Sequence, residues 1–245
     1  MRLPSLDSSL WQSPLRAFAW GMSAVTSTVL AAVLFATYLG IGALAHDTRF
    51  SLLWALLSTV LVWAGPAQII LISTLGSGAT VVQAAIAVTL SAIRLFPMVV
   101  SVLPLLRTPT TKRRHLVLAV HFVAVTLWVE CYRLLPQVPR ERRIVFVHGL
   151  GCGLLIVCLT ATTLGYGLAA NLPQLFAAAI LMLTPLAFLL STARNSKQIS
   201  DMLALVLGLV LYPLVAILNT GVDILVSGVA AGTIAYGAHW WRERA

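Results

Sequence analysis

Long stretches without formal charge alternate along the chain with short basic clusters and with breaks rich in Gly, Asn and Pro. A helix needs about 20 mostly apolar residues to cross a hydrocarbon core about 30 Å thick, so stretches of that length read as membrane spans. The first covers 17–45. Its Ala43-Leu44-Ala45 fits a signal-peptidase site, but the apolar stretch far exceeds a signal-peptide core and is expected to be retained. No charge appears between Arg49 and Arg94, and Gly76-Ser77-Gly78 supplies a turn between a second span over 52–75 and a third over 80–106. A fourth, over 116–135, carries Glu130 and Arg133. Asn171-Leu172-Pro173 divides 144–193 into spans five and six, and Asn219-Thr220-Gly221 divides 202–241 into spans seven and eight. None of these stretches alternates strictly, which excludes a barrel and leaves helices as the way to satisfy the backbone in lipid. The expected fold is all-α: a polytopic helical bundle of seven to eight spans, one integral membrane domain over 1–245 with a short cytosolic segment over 1–16.

Composition agrees with that pattern. The chain is 60% hydrophobic and 9% charged, with a mean hydropathy of +0.96. The net charge is +9, but the cations sit in clusters between spans and do not line a groove, so nucleic-acid binding is not expected. Eight crossings with both ends in the cytoplasm place ten cations inside and five outside, the five being Arg49, Arg107, Lys112, Arg113 and Arg114. The outside cluster at 107–114 offends the positive-inside rule, and one re-entrant segment among spans two to four would change the count. Cys131, Cys152 and Cys158 have no metal-ligand spacing and imply no disulfide framework. There is no nucleophile elbow, zinc-protease motif or P-loop, so neither an enzyme nor a bound cofactor is expected, and any transport would run on a gradient or on a separate ATPase.

The informative residues of such a chain are polar groups and helix breakers at bilayer depth, since each is costly unless paired or wet. Trp63-Ala64-Gly65-Pro66-Ala67-Gln68 falls in the middle of the second span. Pro66 lacks an amide proton and clashes one turn back, Gly65 leaves the break unshielded, and a kink or unwound segment is expected. Gln68 then either offers its amide to a ligand or bonds a neighbouring helix. Arg94 lies near the middle of the third span, with Pro97 just after it. It needs a carboxylate, from an intraprotein ion pair or from an anionic or zwitterionic solute. Two interrupted helices at one depth are the sequence pointer to a midplane site in a secondary transporter. Glu130 is the acid within the fourth span; it either pairs locally with Arg133 or serves as a proton-coupling carboxylate or a partner of Arg94. His121 is half a turn out of phase with Glu130 and forms no relay with it on one helix. Gly149 with Gly153, and Gly228 with Gly232, have helix-packing spacing, for internal contact or for a partner.

With these residues in view, the chain resembles the AzlC family of branched-chain amino acid permeases. Its second-span motif, similar to F-A-G-A-A-Q, reads here Trp63-Ala64-Gly65-Pro66-Ala67-Gln68; its N-x-R-H element is matched only by Arg94, with Ala92 and Leu95 at the flanking polar positions; its acidic D-E element is similar to Val129-Glu130. The resemblance implies export of branched-chain amino acids across the plasma membrane, in bacteria the inner membrane, with AzlD, a small hydrophobic membrane partner. The substrate-binding residues would be Gly65, Pro66, Gln68 and Arg94, with Glu130 coupling protons. The rival expectation is a non-transporting scaffold or regulatory subunit; an intramembrane enzyme is the weaker third.

Overall fold

The computed structural model describes residues 3–6, 8–171, 199–217 and 223–244, with single positions 179, 182, 186, 189 and 193. The expected sixth span, the Asn219-Thr220-Gly221 break and the cations Arg194 and Lys197 lie outside the described residues or their described side chains. Among the described residues all regular structure is helical: α1 (Pro14–Ala24), α2 (Val29–Asp47), α3 (Leu52–Val62), α4 (Gly65–Gly76), α5 (Val81–Ala92), α6 (Leu95–Leu106), α7 (Arg113–His121), α8 (Val125–Leu134), α9 (Arg143–Asn171), α10 (Ile199–Ala216) and α11 (Asp223–Arg244). Helices α2, α9 and α10 are each long and apolar enough to cross a bilayer alone. The last two helices, α10 and α11, pack on each other.

Helix α9 is the centre. Its 29 residues reach about 44 Å at the α-helical rise, ample for a crossing. Glycines let α1 and α2 approach its backbone. A Cβ on Gly21 would overlap the Phe146 carbonyl, one on Gly149 the Phe18 carbonyl, one on Gly42 the Thr162 carbonyl, and one on Gly165 the Leu39 carbonyl. These are reciprocal contacts of small residues, the usual device where helices gain little from excluding lipid. Residue numbers rise together along both sides of the seam, so the α1–α2 arm runs parallel to α9. Of the two sequence pairs with this spacing, Gly149 and Gly153 close that seam, whereas a Cβ on Gly228 or Gly232 would meet open space.

Parallel first and last arms require an odd number of crossings between them, and hydrogen bonds show which stretch makes it. In a straight helix Ser58 and Gln68 would stand about 15 Å apart. Instead Gln68 Nε2 donates to Ser58 Oγ at 2.8 Å and to Thr59 Oγ1 at 2.9 Å. A Cβ on Gly76, at the far end of α4, would stand 2.6 Å from Thr48 Cγ2, beside the start of α3. Helices α3 and α4 therefore form a hairpin that enters and leaves on one face. Helices α5 and α6 continue across with a 47° bend, and α7 and α8 turn back on each other through 120°. The end of α6 meets the start of α9, where Arg143 Nη1 donates to the Leu105 carbonyl at 3.0 Å. At the opposite face, the Tyr166 hydroxyl donates to the Phe50 carbonyl at 2.9 Å.

The stretches expected as second and fourth crossings are thus re-entrant, one from each face. With two hairpins in place of two straight crossings, the basic clusters at 107–114 and 133–143 come to the same side of the bundle. Arg16, Arg107, Lys112, Arg113, Arg114, Arg133, Arg140, Arg142 and Arg143 all fall at one face, the basic face, while Arg49 lies at the other. A single re-entrant segment would not have achieved this, because it would have carried 133–143 to the wrong side. The order is a bent or broken arm followed by a hairpin, twice, the second time upside down: α1 to α4, then α5 to α8. Inverted repeats of this kind are a recurrent plan of secondary transporters.

Candidate functional site

Each hairpin ends in a tip where a helix stops and another starts within the apolar layer. At the first tip, Trp63 adopts a left-handed conformation (φ 42°, ψ 31°) and Ala64 is extended. Gly65 and Pro66 then occupy the first turn of α4. Of the kink or unwound segment expected at Pro66, the structure has the second, with the proline just past the break. Pro66 does not kink a continuous helix; it opens a new one, at a position where its missing N–H and fixed φ are advantageous. At the second tip, Phe122 ends α7 and the extended Ala124 precedes α8.

The two tips touch. The Trp63 indole N–H donates to the Phe122 carbonyl at 2.7 Å, and the two rings pack edge-on with centroids 5.4 Å apart. His121 Nε2 lies 2.8 Å from the Val60 carbonyl, to which its N–H tautomer donates. The exchange is reciprocal: a side chain of each tip satisfies a carbonyl left orphaned at the C-terminal end of the other hairpin's first helix. Gly151 of α9 lies against the Phe122 ring, leaving no room there for a side chain.

This arrangement brings four helix N-termini into the interior of the layer. Helices α4 and α8 start at the tips, α2 starts at the extended Thr28, and α6 starts after the bend at Ile93 and Arg94. Only α2 has a side-chain cap among them: Thr28 Oγ1 accepts from the Leu30 N–H. Thr28 Oγ1 also donates to Glu130 Oε1 at 2.6 Å, so a carboxylate already sits at that positive helix end. The starts of α4, α6 and α8 have no such cap, but they are not equal donors: α8 keeps its first N–H groups for an anion, Pro66 removes one from α4, and at α6 Pro97 has none and the Phe96 N–H is taken by the Ile93 carbonyl.

The residues singled out by sequence fall in three places. Gly65, Pro66 and Gln68 share the first turns of α4. Gln68 is fully buried; its amide nitrogen faces the α3 hydroxyls, which themselves donate to the Ala55 carbonyl, so the N and O positions are set by that network. Its Oε1 is buried without a partner. Arg94 stands at the bend between α5 and α6, exposed, with neither a hydrogen bond nor an ion pair among the described residues. Pro97 does not leave the Ile93 carbonyl free, since the Phe96 N–H takes it at 3.0 Å. Glu130 is 2% exposed and binds Arg133, whose Nε donates to Oε2 at 2.8 Å. It is therefore a partner of Thr28 and Arg133 and not of Arg94. Sequence reasoning missed Trp63, His121, Thr28, Ser58 and Thr59 as parts of this centre. The signal for two of them was there, an indole and an imidazole beside helix ends at mid-depth, where donors must find carbonyls.

The AzlC protein family model matches residues 29–172, which is more than half of the chain and runs from α2 through α9. The chain belongs to the AzlC family. No curated protein and no solved structure matches it. AzlC proteins form a transporter-type membrane family associated with branched-chain amino acid transport. The matched segment contains both hairpins, their meeting point, and Gly65, Pro66, Gln68, Arg94 and Glu130; Thr28 lies one residue before it.

Proposed function

We propose that this AzlC protein is the permease subunit for secondary transport, in the direction of export, of branched-chain or similar hydrophobic amino acids across the bacterial inner membrane, together with a small AzlD-like membrane partner. The observation that carries the reading is the contact between two half-membrane hairpins, Trp63 against Phe122, in a chain of a transporter-type family. Irregular backbone at that depth is tolerated where it is buried in protein or lines a polar cavity, and helix ends provide the charges that hold a zwitterion. The basic face is the cytoplasmic one, by the excess of Arg and Lys.

In this reading Arg94 receives the substrate carboxylate. The spare Gln68 Oε1 accepts from the ammonium group, and Gly65 and Pro66 shape the segment that presents it. Ala92 and Leu95 flank Arg94 with apolar side chains, which suits a hydrocarbon substituent. Glu130 couples protons. The test is efflux of labelled leucine and valine from vesicles containing the chain and its partner, with and without a pH gradient. Arg94→Ala should slow efflux about 10- to 100-fold with unchanged insertion, the loss expected for one charge-assisted interaction. Unchanged efflux removes the site. No transport of any labelled amino acid by the two components together removes the permease reading and leaves the scaffold.

A further inference from the structure

On the basic face a groove of about 520 Å³ lies between the end of α6 and the start of α7, lined by Leu103, Arg107, Arg113, Leu116, Val117 and Val120. Its wall is aliphatic and its charges are two guanidinium groups, both on exposed residues. They are six residues apart in the chain, and a compact turn brings them to the same groove. The Thr108 N–H donates to Thr111 Oγ1 at 2.9 Å, the Thr111 N–H donates to the Thr108 carbonyl at 3.1 Å, and the two hydroxyls lie 2.8 Å apart. Lys112 and Arg114 add two more cations, the segment 107–114 contains no acid, and none of the four cations pairs with an acid among the described residues. An aliphatic cleft at the membrane boundary, with unneutralised arginines on its lining, has the complement of a diacyl lipid bearing a phosphate.

The geometry points to a binding site for an anionic phospholipid of the cytoplasmic leaflet, with its phosphate between Arg107 and Arg113 and an acyl chain against Leu103, Leu116, Val117 and Val120. Arginine suits this role because its fork matches phosphate oxygens in pairs. The site is separate from the hairpin tips and does not depend on the transport reading. It lies where the second hairpin leaves the basic face, so an occupant would brace α7 against α6.

The test uses the purified full chain in mild detergent, with bound lipid counted by native mass spectrometry while dioleoyl phosphatidylglycerol, dioleoyl phosphatidylcholine or sn-glycerol 3-phosphate is titrated. Phosphatidylglycerol should bind more tightly than phosphatidylcholine, and Arg107→Gln with Arg113→Gln should weaken it about 10- to 30-fold. The pair Lys112→Gln with Arg114→Gln removes the same charge outside the groove lining and should have a much smaller effect. Val117→Trp, at an exposed position where the fold tolerates bulk, should obstruct the groove and weaken both lipids. Equal binding of the two lipids overturns the site, as does an equal loss from both charge pairs or unchanged binding in Val117→Trp. Glycerol phosphate binding as tightly as the lipid would assign the groove to a soluble phosphate instead.

Discussion

The first hairpin, 52–76, closes on itself, whereas the second, 113–134, is held open by its neighbours. In the first, Gln68 on one arm bonds Ala55, Ser58 and Thr59 on the other, all buried. In the second, the arms splay and their polar groups reach outward. The Trp128 indole donates to Ser101 Oγ at 2.8 Å, the Tyr132 hydroxyl to the Ser101 carbonyl at 3.0 Å, and Glu130 joins Thr28 at the start of α2. Two copies of one plan thus differ in where their hydrogen bonds are made. A unit bonded internally keeps its shape when it moves. A unit bonded to others changes shape when they move, which makes the second hairpin the element whose position reports on α2 and α6. The face it enters from is also the basic one, where the proposed lipid would lie.

The comparison breaks outright if either stretch is a full crossing. Single cysteines at Ser51 and Ser77 should label from one side of the membrane, and those at Thr108 and Gln137 from the other; labelling of Ser51 and Ser77 from opposite sides would abolish the first hairpin. The next largest effect is expected at the contact the hairpins share. Trp63→Ala should lower stability in detergent by about 3–5 kcal/mol, through a lost ring and a lost bond to Phe122. Trp63→Phe, which keeps most of the ring and loses the N–H donor, should cost about 1–2 kcal/mol. A smaller effect separates zipping from packing in the first hairpin. Gln68→Ala should cost about 2 kcal/mol by leaving a cavity, while Gln68→Leu should fall within about 1 kcal/mol of the parent, because Ser58 and Thr59 keep the Ala55 carbonyl as acceptor. If Gln68 Oε1 serves substrate, both variants lose efflux although only one loses stability. The smallest effect is expected at the latch of the second hairpin. Glu130→Gln retains one acceptor oxygen, for Thr28, and loses the charge and the second acceptor opposite Arg133, whose side chain is 46% exposed and can turn to solvent, so the stability change should stay within about 1 kcal/mol. A flattened dependence of efflux on the pH gradient in that variant would tie Glu130 to coupling; an unchanged dependence would leave it structural.

Much of the local structure was legible beforehand. The Gly76-Ser77-Gly78 turn forms where expected, with Gly78 at a φ of +85° that suits glycine, and Thr80 and Gln83 close a capping box just after it. The interruptions near Gly65 and near Arg94 are present, as is the short spacing that lets Arg133 reach Glu130. The spare Gln68 oxygen and the tip-to-tip bonds were not legible, since both depend on residues brought together from elsewhere in the chain. Trp63 and Phe122 are separated by 59 positions.

Charge-free length, turn residues and helix breakers are properties of neighbouring positions, and from them the sequence alone determined a helical membrane protein with breaks at 63–66 and 93–94. It did not determine the direction of the chain after each break. A straight continuation and a return cover the same number of apolar residues, so hydropathy scores them alike. The choice was made by one left-handed residue, by buried amide bonds across the first hairpin, and by the glycine seam that forces α1, α2 and α9 to run the same way. Only a packed tertiary structure contains those contacts, and it alone turned two apparent crossings into the two halves of a central junction.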